Sequence, residues 1–212
     1  MISSGSAHVH DRLSRGLLLC DRDGVIIQDR PGFVRSESDV AFVPGSIEAL
    51  ARAGEQGFPV VIVSNQSGIG RGLVSADKAV ALHQDVVAML EAAGARILAS
   101  YICPHTPDDR CACRKPSPRM LTAAIAQYGV SRERSAFVGD AREDVTAAVR
   151  AGVLPVLVGT GRGRKDGPLV LRDPALAGVR RAPDLECAVG QLLRWLAPNP
   201  FEDLDVPAAT WE

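Results

Sequence analysis

Two aspartates separated by one residue stand near the N-terminal end of the chain, in the sequence Asp21-Arg22-Asp23-Gly24. A carboxylate has a reference pKa of about 3.9 and is therefore ionised at neutral pH. It can attack phosphorus without a general base where the phosphate charge is neutralised. Asp23 would lie beside the leaving-group oxygen, protonate it and then activate water. The same residues are also compatible with an ordinary turn, because Asp and Gly are common turn formers.

A second pair of acids, Asp140 and Asp144, could provide a site for a divalent cation. Asp140 could share a hard cation with Asp21, and Asp144 could orient the cluster from about one helical turn further along. Mg²⁺ prefers oxygen ligands and is usually bound by one or two carboxylates, waters and a substrate phosphate. The alternative is that Asp140 caps a helix and Asp144 is a solvated acid in its first turn.

Groups that could hold a phosphate occur at two further places in the chain. Residues 64–68 read Ser-Asn-Gln-Ser-Gly, and the Ser64 hydroxyl with successive backbone N–H groups could bind phosphate oxygens. Lys115 could supply a fixed positive charge that offsets the repulsion between an attacking carboxylate and a phosphate dianion. The alternative for Lys115 is a solvated lysine on the surface.

Three of the five cysteines and one histidine crowd a short stretch: Cys103, His105, Cys111 and Cys113. Three thiolates and one imidazole complete a tetrahedral zinc site and leave no open position, so zinc here would be structural. A disulfide between Cys103 and Cys111 with a spare thiol, or three unrelated cysteines, are the alternatives. This uneven distribution indicates a reducing compartment rather than a secreted disulfide framework.

Short apolar runs alternate with amphipathic stretches along the chain, which predicts a parallel sheet covered by helices on both faces. The predicted strands are 16–20, 59–63, 97–102, 135–138 and 153–158, and the predicted helices are 46–56, 75–93, 117–128, 143–151 and 185–196. Ligands of such sheets bind beyond the carboxyl ends of the strands. The polar residues that follow the first, second and fourth strands should therefore converge at one edge of the sheet.

The bulk composition of the 212 residues excludes several classes of protein. A net charge of −1 and an aromatic content of 4% argue against a nucleic-acid-binding module. No apolar run is long enough to span a bilayer, and residues 1–15 lack the apolar core of a secretory signal. A dinucleotide-binding domain is disfavoured because the glycines at 68, 70 and 72 do not form G-x-G-x-x-G after the first strand.

These observations predict a cytoplasmic monomer that acts on a small phosphorylated molecule, with neither a nucleic-acid nor a membrane partner. The predicted organisation is a disordered leader at 1–15, one domain at 16–197 and an acidic tail at 198–212.

The order of the motifs resembles that of the haloacid dehalogenase (HAD) superfamily of phosphohydrolases. The resemblance implies a three-layer, HAD-like (Rossmannoid) α/β fold without a separate cap domain. It implies that Asp21 is the nucleophile and Asp23 the general acid and base. Ser64 and Lys115 would hold the phosphate, and Asp140 would complete a magnesium site with Asp21 and the backbone carbonyl of Asp23.

The segments DRDG, SNQSG and CPH…CACRKP narrow the resemblance to the family of D-glycero-D-manno-heptose 1,7-bisphosphate phosphatases and the related histidinol-phosphate phosphatases. Arg71 and the sequence Gly32-Phe33-Val34 favour the heptose branch, which implies a role in heptose biosynthesis. The short zinc loop, residues 103–113, suits either branch. Ala141 stands where heptose enzymes often have a basic residue. We interpret the substrate as a heptose bisphosphate, with histidinol phosphate or another small sugar or polyol phosphate as the alternative.

The pocket is expected to be shallow, with walls formed by residues 28–39 and by the zinc loop. Substrate contacts are expected from Arg22, Asn65, Gln66, Arg71 and Arg114.

Overall fold

Six parallel strands form one sheet in the computed structural model, which describes residues 16–195. In chain order the strands are β1 (Leu18–Cys20), β2 (Val60–Asn65), β3 (Ile97–Cys103), β4 (Ala136–Gly139), β5 (Leu154–Val158) and β6 (Arg180–Ala182). Their order across the sheet is β3-β2-β1-β4-β5-β6. This is a doubly wound sheet whose strand order reverses between β1 and β4, where ligands of such sheets bind.

Seven α-helices connect the strands or follow them in the described part of the chain. They are α1 (Ser46–Glu55), α2 (Ser67–Gly70), α3 (Ala76–Ala92), α4 (Arg119–Tyr128), α5 (Arg142–Ala151), α6 (Gly163–Arg172) and α7 (Leu185–Trp195). Every predicted strand and helix is present, and the described ends agree with the predictions to within two residues. The predictions missed α2, α6 and β6.

The core has two halves, one on each face of the sheet, because successive residues of a strand point to opposite faces. Leu18 and Cys20 pack into the half that α1, α3 and α7 cover, whereas Leu19 packs into the half that α4 and α5 cover. The expected three-layer α/β architecture is thereby confirmed. Within residues 16–195 no separate cap domain is inserted between these elements.

The described residues include no helix long and apolar enough to cross a membrane. The expected leader and the expected acidic tail lie outside the described residues, as do the last two residues of the expected 16–197 domain.

Pairing in the sheet brings the functional strand ends together. Cys20, the last residue of β1, is in register with Ile62 on one side and with Val138 on the other. The backbone N–H of Asp21 continues the ladder and donates to the carbonyl of Val138 over 2.9 Å. The residues at the carboxyl ends of β1, β2 and β4 therefore meet at one edge of the sheet.

Candidate active site

A cleft of about 220 Å³ opens at this edge of the sheet. The predicted site residues that line it are Asp21, Asp23, Asn65, Gln66, Arg114, Lys115, Asp140 and Asp144. Eight further residues line it that the sequence did not predict as site residues: Asp29, Arg30, Phe33, Val34, Ser67, Ala141, Glu143 and Arg162. The first four belong to the predicted wall at residues 28–39, which is confirmed. The zinc loop contributes to the cleft only through Arg114, which follows its last cysteine.

Three buried carboxylates, those of Asp21, Asp140 and Asp144, lie in the floor of the cleft. Each has an oxygen within 4.8 Å of an oxygen of the others. Burial raises the pKa of Asp21 to about 6, although Lys115 opposes this shift. Burial also raises the pKa of Asp140 to about 8, and the neighbouring charges of Asp144 and Asp21 add to the shift. The cluster carries more negative charge than one lysine can balance, and its hard oxygen ligands suit Mg²⁺.

Lys115 is buried beneath these carboxylates and is not the solvated lysine of the alternative interpretation. Its Nζ lies 2.9 Å from Oδ2 of Asp21 and 2.8 Å from Oδ1 of Asp144. Nζ also donates to the carbonyl of Val63 over 2.9 Å, so all three of its protons have an acceptor. Burial alone would lower the pKa of Lys115, but the two carboxylates outweigh it and raise the pKa, which keeps the ammonium charged.

Asn65 fixes the backbone of Lys115 through two hydrogen bonds. Its Oδ1 accepts the N–H of Lys115 over 3.1 Å, and its Nδ2 donates to the Lys115 carbonyl over 3.2 Å. The polar atoms of the Asn65 side chain are thus engaged with the protein, which makes Asn65 a support for Lys115.

Asp144, rather than Asp140, satisfies the N-terminus of α5. Its Oδ2 accepts the backbone N–H groups of Asp140, over 3.1 Å, and of Ala141, over 3.0 Å. Its Oδ1 faces Lys115, and the side chain is only 2% exposed. The interpretation of Asp140 as the helix cap and of Asp144 as a solvated acid is therefore wrong.

Asp23 belongs to a hydrogen-bonded chain that runs to Ser64. The Gln66 Nε2 group donates both to Oδ2 of Asp23 and to the Ser64 hydroxyl, the latter over 2.9 Å. On its other side the Asp23 carboxylate accepts hydrogen bonds from Arg22 Nε over 3.2 Å and from Arg22 Nη2 over 3.1 Å. Gln66 therefore connects the proposed acid to the proposed phosphate-binding hydroxyl.

Three residues predicted to contact phosphate or substrate do not line the cleft. Ser64 is only 1% exposed and its hydroxyl accepts a hydrogen bond from Gln66, so its role in phosphate binding stays a prediction. Arg22 is only 3% exposed, and its guanidinium pairs with the carboxylate of Asp23. Arg71 is exposed and follows the end of α2, outside the cleft. Substrate contact by Arg22 and Arg71 stays a prediction that the lining of this cleft does not support.

The four predicted zinc ligands form a compact cluster beside the cleft. The three sulfur atoms lie 3.3–3.6 Å apart, and His105 Nδ1 lies 3.5 Å from Cys103 Sγ and 3.4 Å from Cys113 Sγ. A tetrahedral zinc ion with bonds of about 2.3 Å to sulfur would separate two sulfurs by about 3.8 Å, so the cluster fits zinc closely. All five cysteines are free thiols, and the alternative disulfide is therefore wrong. The guanidinium of Arg114 donates to the His105 carbonyl over 3.1 Å and so depends on this loop.

Comparison with known proteins identifies a consistent set of relatives. Residues 112–185 match the family model described as "HAD-hyrolase-like". The D-glycero-beta-D-manno-heptose-1,7-bisphosphate 7-phosphatase of Bordetella bronchiseptica is 39% identical over 84% of this chain and 98% of its own length. The enzyme of the same name from Pseudomonas aeruginosa is 37% identical over 86% of this chain and its whole length.

Solved structures give the same result. The crystal structure of the D,D-heptose 1,7-bisphosphate phosphatase from B. bronchiseptica, complexed with magnesium and phosphate, superposes with a TM-score of 0.79. It is 39% identical and covers 84% of this chain and 98% of that chain. The enzyme of this name from Burkholderia thailandensis has a TM-score of 0.64 at 29% identity, over 84% of this chain and 97% of that chain.

Proposed function

Because the chain belongs to the family of HAD-type D-glycero-beta-D-manno-heptose-1,7-bisphosphate 7-phosphatases, we propose that it removes the 7-phosphate of a heptose 1,7-bisphosphate. Family membership makes the chain a phosphoric monoester hydrolase. The observation that carries the proposal is the cluster of the Asp21, Asp140 and Asp144 carboxylates at one edge of the sheet, with Asp21 and Asp144 both paired with Lys115. An anionic phosphoryl group can approach a carboxylate only where a cation, here Lys115, balances the negative charge.

The reaction takes place in two displacements. A carboxylate oxygen of Asp21 attacks phosphorus, and the bond from phosphorus to the sugar oxygen breaks while Asp23 gives that oxygen a proton. Asp23 then takes a proton from water, whose oxygen attacks phosphorus and releases inorganic phosphate and free Asp21. Ser64 and Lys115 hold the phosphoryl oxygens during both steps.

Mg²⁺ fits the site because the buried carboxylates present a surplus of negative charge on hard oxygen ligands. We propose that Asp21, Asp140 and the backbone carbonyl of Asp23 hold it and that Asp144 orients the cluster. When bound, Mg²⁺ would supply positive charge against the phosphoryl oxygens.

The phosphate that is not removed needs a second cation, and the ion pairs within the described cleft indicate which residues are free to bind it. Lys115 is balanced by two acids, and Arg162 is paired with Glu143 and Asp166. Arg30 and Arg114, by contrast, form no ion pair among the described residues; Arg30 Nε donates to the Asp39 carbonyl and Arg114 to that of His105. We assign the second phosphate to these two guanidiniums, because guanidinium binds phosphate in bidentate fashion.

This arrangement favours the heptose bisphosphate over histidinol phosphate, which has one phosphate and an ammonium group. The test compares kcat/KM for heptose 1,7-bisphosphate, heptose 7-phosphate and histidinol phosphate. The bisphosphate should be the best substrate, and Arg114→Ala should lower its kcat/KM about 10- to 100-fold while changing that of the monophosphate little. Arg110→Ala, an exposed arginine of the same loop, is the matched control. Preference for histidinol phosphate would refute the assignment.

The remaining proposals concern the zinc site, the cellular compartment, the extent of the domain and the oligomeric state. The cysteine and histidine cluster would bind structural zinc, since four protein ligands close the site. Five free thiols favour a reducing compartment, consistent with a location in the cytoplasm. A single domain over residues 16–197 and a monomeric state remain predictions.

A further inference from the structure

The turn between β5 and α6, residues 159–162, lies directly against the carboxylate of Asp140. The backbone N–H of Arg162 donates to Oδ2 of Asp140 over 2.7 Å. Within residues 16–195 no other hydrogen bond reaches this carboxylate, and none reaches its Oδ1. One oxygen is thus oriented by the protein, which leaves the other to bind an ion.

Two glycines make this close approach possible. Gly24 has a φ of +83° and Gly161 a φ of +51°, both in the left-handed region that favours glycine. They pack against each other, and a Cβ atom on either would clash with Oδ2 of Asp140. Oδ2 of Asp140 is therefore packed between two backbone segments that only glycine allows to come this close.

The turn is anchored at both ends. The Thr160 hydroxyl donates to the Gly24 carbonyl over 2.6 Å, which ties the turn to the loop after β1. The buried carboxylate of Asp166 accepts from Arg162 Nη2 and from the backbone N–H of Arg142, each over 3.0 Å, which ties the turn to the start of α5. The three segments that surround Asp140 are thus joined by side-chain hydrogen bonds.

We propose that Thr160, Gly161 and Arg162 are positioning residues that hold Asp140 in the orientation required by the divalent cation. This inference rests on the proposed function, in which Asp140 binds Mg²⁺. Groups that orient a metal ligand without touching the metal typically change metal affinity by about 10- to 100-fold when they are removed. Thr160 offers the cleanest test, because a valine preserves its shape and removes only the hydroxyl.

The experiment measures Mn²⁺ binding to the substrate-free protein by electron paramagnetic resonance, with Mn²⁺ in place of Mg²⁺. Thr160→Val should weaken binding about tenfold, and Thr160→Ser, which keeps the hydroxyl, should bind within about twofold of the wild type. Thr122→Val is the matched control, because the Thr122 hydroxyl also donates to a backbone carbonyl but lies on the exposed face of α4. Asp166→Asn removes the negative charge that pairs with Arg162, weakens the other anchor and should weaken Mn²⁺ binding in the same direction.

Kinetics separate positioning from substrate binding. Thr160→Val should need about tenfold more Mg²⁺ for half-maximal activity, yet reach a kcat within about twofold of the wild type at saturating Mg²⁺. Unchanged Mn²⁺ affinity, or a loss of kcat that high Mg²⁺ does not restore, would overturn the inference. If Thr160→Val does not fold, Asp166→Asn decides by the same criteria. A wild-type protein that binds Mn²⁺ but hydrolyses no phosphate ester would contradict the proposed function and leave the positioning role intact.

Discussion

Replacement of Lys115 by methionine should lower both the stability and the activity of the protein. Lys115 Nζ lies 2.8 Å from Asp144 and 2.9 Å from Asp21, and the Lys115 side chain is only 1% exposed. At an effective dielectric constant of about 20, each contact corresponds to an attraction of about 6 kcal/mol. Most of this attraction offsets the desolvation of the ions, which costs several kcal/mol each. Removing one partner of such a buried pair typically costs about 3–5 kcal/mol, because it leaves a buried charge uncompensated.

The free energy lost on this substitution is a large fraction of the total stability, since single domains typically unfold with a free energy of about 5–15 kcal/mol. Urea unfolding should therefore show a midpoint roughly 1–2 M lower for Lys115→Met than for the wild type. Under conditions where the variant is folded and Mg²⁺ is saturating, kcat/KM should fall by about 10²–10³, because a phosphate dianion then faces Asp21 without the ammonium.

Lys78→Met is the control for this substitution, since Lys78 is exposed on α3. A Lys115→Met protein with the unfolding free energy of the control would show that the two buried ion pairs contribute no net stability. If its kcat/KM stayed within about threefold of the control, Lys115 would not act on the phosphoryl group.

Two further predictions concern the zinc cluster and His83. Metal analysis should find about one zinc per chain, and Cys111→Ser should release it while Cys187→Ser, at an exposed lone cysteine, should not; retention of zinc by Cys111→Ser would contradict the closed site. Burial, helped by the charge of Arg22, lowers the pKa of His83 to about 4 from an ordinary 6.5, so the unfolded chain binds the extra proton first as pH falls. Stability should therefore decline between pH 6.5 and 4 with a slope of up to about 1.4 kcal/mol per pH unit from this residue, and His83→Phe should remove that part in urea unfolding; an unchanged slope would contradict it.

The elements that the sequence predicts well are those whose apolar pattern matches their burial. Residues 59–63 form a continuous apolar run because β2 is buried on both faces of a parallel sheet. The apolar pattern does not predict α6. Gly167 and Pro168 are poor helix formers. Leu169 and Leu171 are more than half exposed, whereas Val170 is buried. The edge strand β6 has only three residues, two of them exposed arginines, so it lacks an apolar signal.

The residues of the site likewise fall into those that the sequence predicts and those that it does not. Asp21, Asp140 and Lys115 are predictable because the proposed chemistry depends on their side chains. Asp21 and Asp140 each follow a predicted strand, and Lys115 precedes a predicted helix. The contribution of Arg162 to Asp140 comes from a backbone N–H, which has no signature in the residue type. The burial of Arg22 is likewise not visible in the sequence, because it depends on the ion pair that its guanidinium forms with Asp23.

The role of Asp21 as the covalent nucleophile can be measured directly. Borohydride reduces an acyl phosphate to an alcohol, so trapping during turnover followed by peptide mass spectrometry identifies the carboxylate that carried the phosphoryl group. The expected result is homoserine at position 21 in the wild type and no trapped residue in an inactive Asp21→Asn variant. Reduction at Asp140, Asp144 or any other acid, or full turnover by Asp21→Asn, would contradict the proposed mechanism.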